Sequence, residues 1–177
     1  VTTSIQGHSL GEIGDKLVTA IDAGSHNGGF IYSDTRNTSS GYTNQFSGKS
    51  TNDVFYKLTL KQPVDLKVSH CGSVITDTYL SVLNSSGTVL YSNDNYTGAD
   101  QCGSTGNALI KINKLAAGTY YIISEGNTQN GFITTNIEGR GVYATLSTTM
   151  DRPHVISYIP TVASDNVLTL GTDEVRH

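Results

Sequence analysis

An all-β fold, an antiparallel β-sandwich of jelly-roll-like kind, follows from three features of the sequence. Strand-favouring Thr, Tyr, Val and Ile alternate with polar residues over short runs. Clusters of Gly, Asn and Ser separate these runs roughly every 8 to 14 residues, a spacing that favours a sandwich over any α/β plan. Long stretches of Ala, Leu, Glu and Lys at helical period are missing.

Taken in order, Leu17-Val-Thr-Ala-Ile21 reads as a first strand or a helical turn, and "GSHNGG" (24–29) as a turn before the strand "FIYSD". Residues 35–51 are almost all Ser, Thr, Asn and Gly and read as a long loop or irregular edge, punctuated by Tyr42 and Phe46. In "VFYKLTL" Val54, Tyr56, Leu58 and Leu60 share one face, with Phe55, Lys57 and Thr59 opposite, the period of a half-buried strand. Pro63 limits the next strand, in which Val64, Leu66 and Val68 alternate with Asp65, Lys67 and Ser69. "TYLSVL" and "TVLYS" flank Asn84-Ser-Ser-Gly87, which has hairpin chemistry. "ALIKI" repeats the alternation. "TYYIISEG" is apolar on both faces and therefore predicts a central strand covered on both sides. "GFITTNI" and "GVYATLS" predict two further strands. Beyond Met150 two prolines interrupt the pattern, leaving one or two strands without the earlier rhythm. The expected organisation is an extension with the first strand over 1–27, the sandwich over 28–149, and a linker or the start of a following domain over 150–177.

Charged residues make up 15 % of the chain and the net charge is −4, which argues against a nucleic-acid binder with its basic stripe. No apolar run approaches the roughly 20 residues that span a bilayer. The two cysteines, an even count in a chain poor in Lys and Glu, predict an oxidising compartment and one Cys71–Cys102 bridge. The chain starts at Val1 and reads as a mature or trimmed segment.

Three places carry residues with chemical potential. Gly7-His8-Ser9-Leu10-Gly11 fits the G-x-S-x-G pattern of a hydrolase elbow, but that geometry needs a strand before the Ser and a helix after it, and neither is predicted here. His70 and Cys71 are neighbours on a strand and so point to opposite faces, which disfavours a thiol–imidazole pair and leaves His70 incidental. The segment "SNDNYTGAD" (92–100) is the best ligand or ion candidate. Its Asn93, Asp94, Asn95 and Asp100, with Tyr91 and Tyr96 alongside, offer polar groups and aromatic surface. Asp94 and Asp77 are the acids considered for a hard cation such as calcium; position twelve of a calcium loop falls on Ser104, so an EF-hand fails. The alternative is an Asn/Asp-rich turn that bonds its own backbone. No catalytic residue is assigned. Tyr56 and Tyr120 read as core, while Tyr42, Tyr91 and Tyr96 lie in polar surroundings that favour exposure.

In order, "NDVFYKLTL", "SHCGSVITDTYLSVLNSSGTVLYSNDN", Cys102, "LAAGTYYIISEG" and "GFITTNIEG" resemble the bacterial pre-peptidase C-terminal (PPC) domain over roughly residues 28 to 139. The resemblance is nearest to modules of large surface or secreted Bacteroidetes proteins that carry Rhs/YD-type repeats. It implies a β-sandwich without catalytic residues, with Cys71 and Cys102 as the family's bridge and Asp77 and Asp94 as its recurring acids. It also implies that the module accompanies a secreted enzyme or adhesin and binds polysaccharide or protein, at times with calcium. The long Ser/Thr/Asn segment before Asp53 and the tail depart from the family pattern. The expected function is thus a non-catalytic, extracytoplasmic accessory module of a larger secreted, surface or periplasmic protein. Its expected partners are the downstream domains and a glycan or protein ligand. A spacer domain without ligand is the alternative, and a small hydrolase the third class.

Overall fold

The computed structural model describes residues 11–102 and 106–142, and the backbone of two short strands further on. Two compact units divide the chain, Val1–Tyr143 and Ala144–His177. In the first, nine strands form two sheets: β1 (Ile21–His26), β2 (Phe30–Asn37), β3 (Asp53–Leu60), β4 (Val64–Ser69), β5 (Thr78–Asn84), β6 (Val89–Asn93), β7 (Leu109–Leu115), β8 (Gly118–Gly126) and β9 (Phe132–Gly141). One sheet runs β1-β3-β8-β5-β6 and the other β2-β9-β4-β7. Every pairing is antiparallel except β1 with β3. In the second unit β10 (Thr161–Val162) pairs antiparallel with β11 (Leu168–Thr169).

The alternation read from the sequence becomes the sandwich core. Val54, Tyr56, Leu58 and Leu60 of β3, Leu80 and Val82 of β5, and Ile122 of β8 meet Val64, Leu66 and Val68 of β4, Ile110 and Ile112 of β7, and Ile137 of β9. Side chains two apart on a strand share a face, so each strand of the central pairs presents one apolar row inward. The Asn84–Gly87 turn closes as its composition dictates. The Asn84 side-chain oxygen accepts from the backbone N–H groups of Ser86 and Thr88, and Gly87 takes a positive φ of 82°.

Strand β8 is buried on its second face as well, as its two-sided apolar run predicts. On that face Ile123 packs with Phe55 and Leu83, and the partly buried Phe46, Ala20 and Tyr121 lie against them. Part of the cover is supplied by Phe46 of the Ser/Thr/Asn segment, which over residues 38–52 is the irregular loop its composition predicts, laid against this face.

Four local readings change. Leu17–Thr19 forms one 3-10 turn, and β1 takes over only at Ile21, so Gly24, Ser25 and His26 are strand and not turn. Strand β2 extends to Asn37, because all eight of its residues pair with β9. Tyr42 is buried, 7 % exposed, with its hydroxyl donating to the Ile13 carbonyl. "GFITTNI" and the following "EGRG" form one continuous strand, since β4 pairs with residues 136–141 without a break. Residues 143–147 of "GVYATLS" lie outside the described residues.

Gly139 explains how a glycine survives inside that strand. The Phe30 ring lies over it so closely that an added Cβ would sit 2.1 Å from a ring carbon, and the ring stacks in turn on His26 at 3.8 Å between centroids. An aromatic covering a strand glycine restores the packing that a missing side chain forfeits. Gly139→Ala should lose about 1–3 kcal/mol in urea unfolding, and should lose less in a Phe30→Ala background, where the obstruction is gone.

Candidate functional site

Asp53 opens β3 and Glu125 closes on β8 directly opposite it, so the antiparallel register fixes the two carboxyls side by side on the outer face of the five-stranded sheet. At a strand end such groups are ordinarily solvated. Here both are fully buried, because residues 43–49 lie over them. One oxygen of each carboxyl captures that segment. Asp53 Oδ2 accepts from the backbone N–H of Gln45 and of Phe46, both at 2.6 Å, and Glu125 Oε2 accepts from that of Lys49 at 2.9 Å. Asp15 extends the pattern by accepting from the Thr43 N–H and hydroxyl. A polar segment thus satisfies its amides on carboxylates while its one large apolar side chain, Phe46, covers the sheet.

The remaining oxygens, Asp53 Oδ1 and Glu125 Oε1, receive no donor from other groups. The β3–β8 register sets these two oxygens on one buried site, where a single proton held between them would supply the donor that both lack. Burial first, and then the neighbouring Asp53 charge, push the Glu125 carboxyl up to about 8. Burial likewise raises Asp53, opposed by the Phe46 and Gln45 amides. Further along the same row, Tyr79 stands opposite Glu125 on β5. Lys49 Nζ lies 4.6 Å from its ring centroid and pairs with Asp94 Oδ2 at 3.2 Å. Gly48 lies close against the pair, since a Cβ there would come 2.2 Å from Glu125 Oε1 and the carboxyl would have to shift. None of this was read from the sequence; the usable signal was "TYYIISEG", whose two-sided apolar pattern demands a cover and ends in an acid.

The residues singled out in 91–100 divide between two lysines. Asp94 pairs with Lys49, as above, and Asp100 pairs with Lys111 of β7. Asn93 Oδ1 accepts from the Leu109 N–H and so fastens β6 to the start of β7. Tyr96 is half-buried beneath Lys111 Nζ, 5.9 Å from its centroid, while Tyr91 and Asn95 are exposed. Asp77 takes the Asn127 amide on both oxygens at 3.2 Å, and its carbonyl accepts the Asn127 N–H, so it fixes a turn. Asp77 and Asp94 thus engage different partners, and among the described residues no group of three or more His, Cys, Asp or Glu side chains gathers as metal ligands. Asp100 and Lys111 border a shallow depression of about 310 Å³ on the outer face of the four-stranded sheet, with Asp65, Lys67, Glu138 and Arg140. Lys67 pairs with Glu138 across that face at 3.3 Å.

Cys71 and Cys102 form a disulfide, closing a loop with a sequence separation of 31. In the chain-entropy account such a loop is worth about 3.7 kcal/mol. His70 beside it is fully buried, and neither ring nitrogen has a hydrogen-bond partner. It is thus a core residue and not an incidental one, and burial lowers it from 6.5 to about 3. Of the G-x-S-x-G match, residues 7–10 lie outside the described residues.

His70 generates a pH dependence. Its folded pKa lies below its unfolded one, so the unfolded chain binds the extra proton between pH 6.5 and 3, and stability falls as pH falls through that window. Between pH 6.5 and 4 the loss from this group is about 3 kcal/mol. Relative to the native chain, His70→Leu should therefore gain about that amount of unfolding free energy at pH 4 compared with pH 6.5 in urea titrations. Serine at both Cys71 and Cys102 should separately lower the unfolding free energy at pH 7 by about 3–4 kcal/mol.

No curated protein matches the chain. Strands β3 to β7 and the first six residues of β8 hold the Asp53 end of the carboxyl pair, the disulfide and the 91–100 segment, and this stretch is similar to a known family: residues 53–123 match the family model of the bacterial pre-peptidase C-terminal domain, PPC.

Proposed function

We propose that the chain is a non-catalytic, extracytoplasmic accessory module of a larger secreted or surface protein, of the repeat-bearing kind its sequence resembles. In this reading it holds a polysaccharide or a protein segment at the 91–100 segment and the adjoining depression. The observation that carries the non-catalytic part is the engagement of the candidate nucleophile: Cys71 is bonded to Cys102, and His70 is sealed in the core. The similarity over residues 53–123 and the disulfide support an extracytoplasmic setting. For binding, the support is the depression with Lys67, Lys111 and Arg140 interleaved with Asp65, Asp100 and Glu138, with half-buried Tyr96 against Lys111 at its border; Tyr91 is exposed on β6. Aromatic platforms next to convergent polar groups suit sugar rings and extended peptides.

A glycan array, with isothermal titration against the neighbouring domains of the parent protein, tests the reading. Binding should weaken at least tenfold in Tyr96→Ala and in Arg140→Ala. A calcium requirement would place Asp94 and Asp100 on a cation in place of Lys49 and Lys111. Silence on the array and against every neighbouring domain would overturn the binding role in favour of a spacer. Stoichiometric labelling by a fluorophosphonate or by iodoacetamide under native conditions would overturn the non-catalytic one.

A further inference from the structure

The segment 43–49 reaches its place without a salt bridge to the pair beneath it. Its hold consists of the amides of Gln45 and Phe46 on Asp53, the amide of Lys49 on Glu125, and Phe46 against Phe55, Leu83 and Ile123. Under it, two acceptor oxygens, Asp53 Oδ1 and Glu125 Oε1, are buried with only each other for company. With one proton between them they form a hydrogen bond. Without it, two negative charges share a site from which water is excluded, and like charges there repel strongly.

We propose that residues 43–49 are a strap whose closure over the five-stranded sheet depends on the one proton shared by Asp53 and Glu125, and that loss of this proton releases the strap and uncovers the apolar face beneath Phe46. The groups facing the pair set the direction. From β5 comes Tyr79; from beyond β6, Asp94, whose charge is answered by Lys49; and from the N-terminal turn, Asp15, which adds repulsion. Lys49 is the only cation in this set, and its ammonium is directed to Asp94 and the Tyr79 ring and not to the pair. The pair therefore gains nothing from Lys49 sufficient to hold both charges. Since burial raises the Glu125 carboxyl from 4.5 to about 8, closure of the strap is strongest in acid and weakens as pH rises through neutrality to about 8. Gly48 brings the strap close over the pair, because a side chain there would displace the Glu125 carboxyl.

Lys49–Ser50 lies at the end of the strap and is a trypsin site, whereas Lys57 and Lys67 lie within paired strands. Brief trypsin exposure of the full chain between pH 6.5 and 9.5, normalised to cleavage of a small substrate, reads the opening directly. The native chain should show at least a tenfold rise in cutting at Lys49 that is under way at pH 6.5 and levels off above about pH 8, with Lys57 and Lys67 intact and a parallel gain in binding of an apolar dye. Glu125→Gln and Asp53→Asn each replace the shared proton with permanent amide hydrogens, and both should give flat, low profiles. A flat profile in the native chain would overturn the proposal. So would an undiminished rise in either variant that folds, or simultaneous cutting at Lys57 and Lys67, which would mean that the whole sheet opens.

Discussion

Backbone amides of a polar segment terminating on buried carboxyls are what allow the five-stranded sheet to be closed on both faces. The sandwich core needs β3 and β8 to present Val54, Tyr56, Leu58 and Ile122 inward, and their alternation then forces Phe55 and Ile123 outward. Something has to cover that second row, and no helix or third sheet is present among the described residues of the first unit to do it. The chain uses residues 43–49 instead. Such a segment carries unpaired N–H groups, which would oppose its burial, and Asp15, Asp53 and Glu125 accept from Thr43, Gln45, Phe46 and Lys49. The apolar gain of Phe46 is available because these four amides find acceptors.

The same solution creates an electrostatic asymmetry. Two titratable groups are sealed inside, and they respond to pH in opposite senses. His70 is favoured neutral, so it sets a limit on the acid side; Glu125 is favoured protonated, so it sets one on the alkaline side. Between about pH 4.5 and 6.5 the two linkages oppose each other and nearly cancel, which implies a broad plateau of stability with a shoulder at each end. Exposed ion pairs such as Lys67–Glu138 add little to this balance, because solvent screens them. The disulfide acts independently of pH over this range and ties the His70 corner to the segment before β7.

How much of this was legible in the sequence follows from the kind of signal each feature leaves. Period-two alternation is a local signal, so β3, β4, β5 and β7 were readable, and the Asn84–Gly87 turn was readable from its own side chains. "GFITTNI" and "GVYATLS" read as two strands, whereas the continuity of β9 depends on Phe30, more than a hundred residues away, lying over Gly139. Tyr42 reads as a surface residue because its neighbours are polar, yet Thr43, Gln45 and Phe46 direct their amides inward to carboxyls. Asp53 and Glu125 passed unnoticed for a similar reason. An acid at a strand end reads as solvated, and only the β3–β8 register shows that the two acids share one site. Asp94 and Asp100 drew attention by density along the chain, but the fold sends them to different lysines.

The account rests on one proton between Asp53 and Glu125. Carboxyl-carbon chemical shifts followed by NMR from pH 3 to 10 would observe it directly. Glu125 should remain protonated through neutral pH and change near pH 8, with Asp53 responding in the same step because the pair titrates as a unit. Two independent transitions close to pH 4, with both carboxyls ionised at pH 7 and the Gln45 and Phe46 amides still protected from exchange, would contradict it.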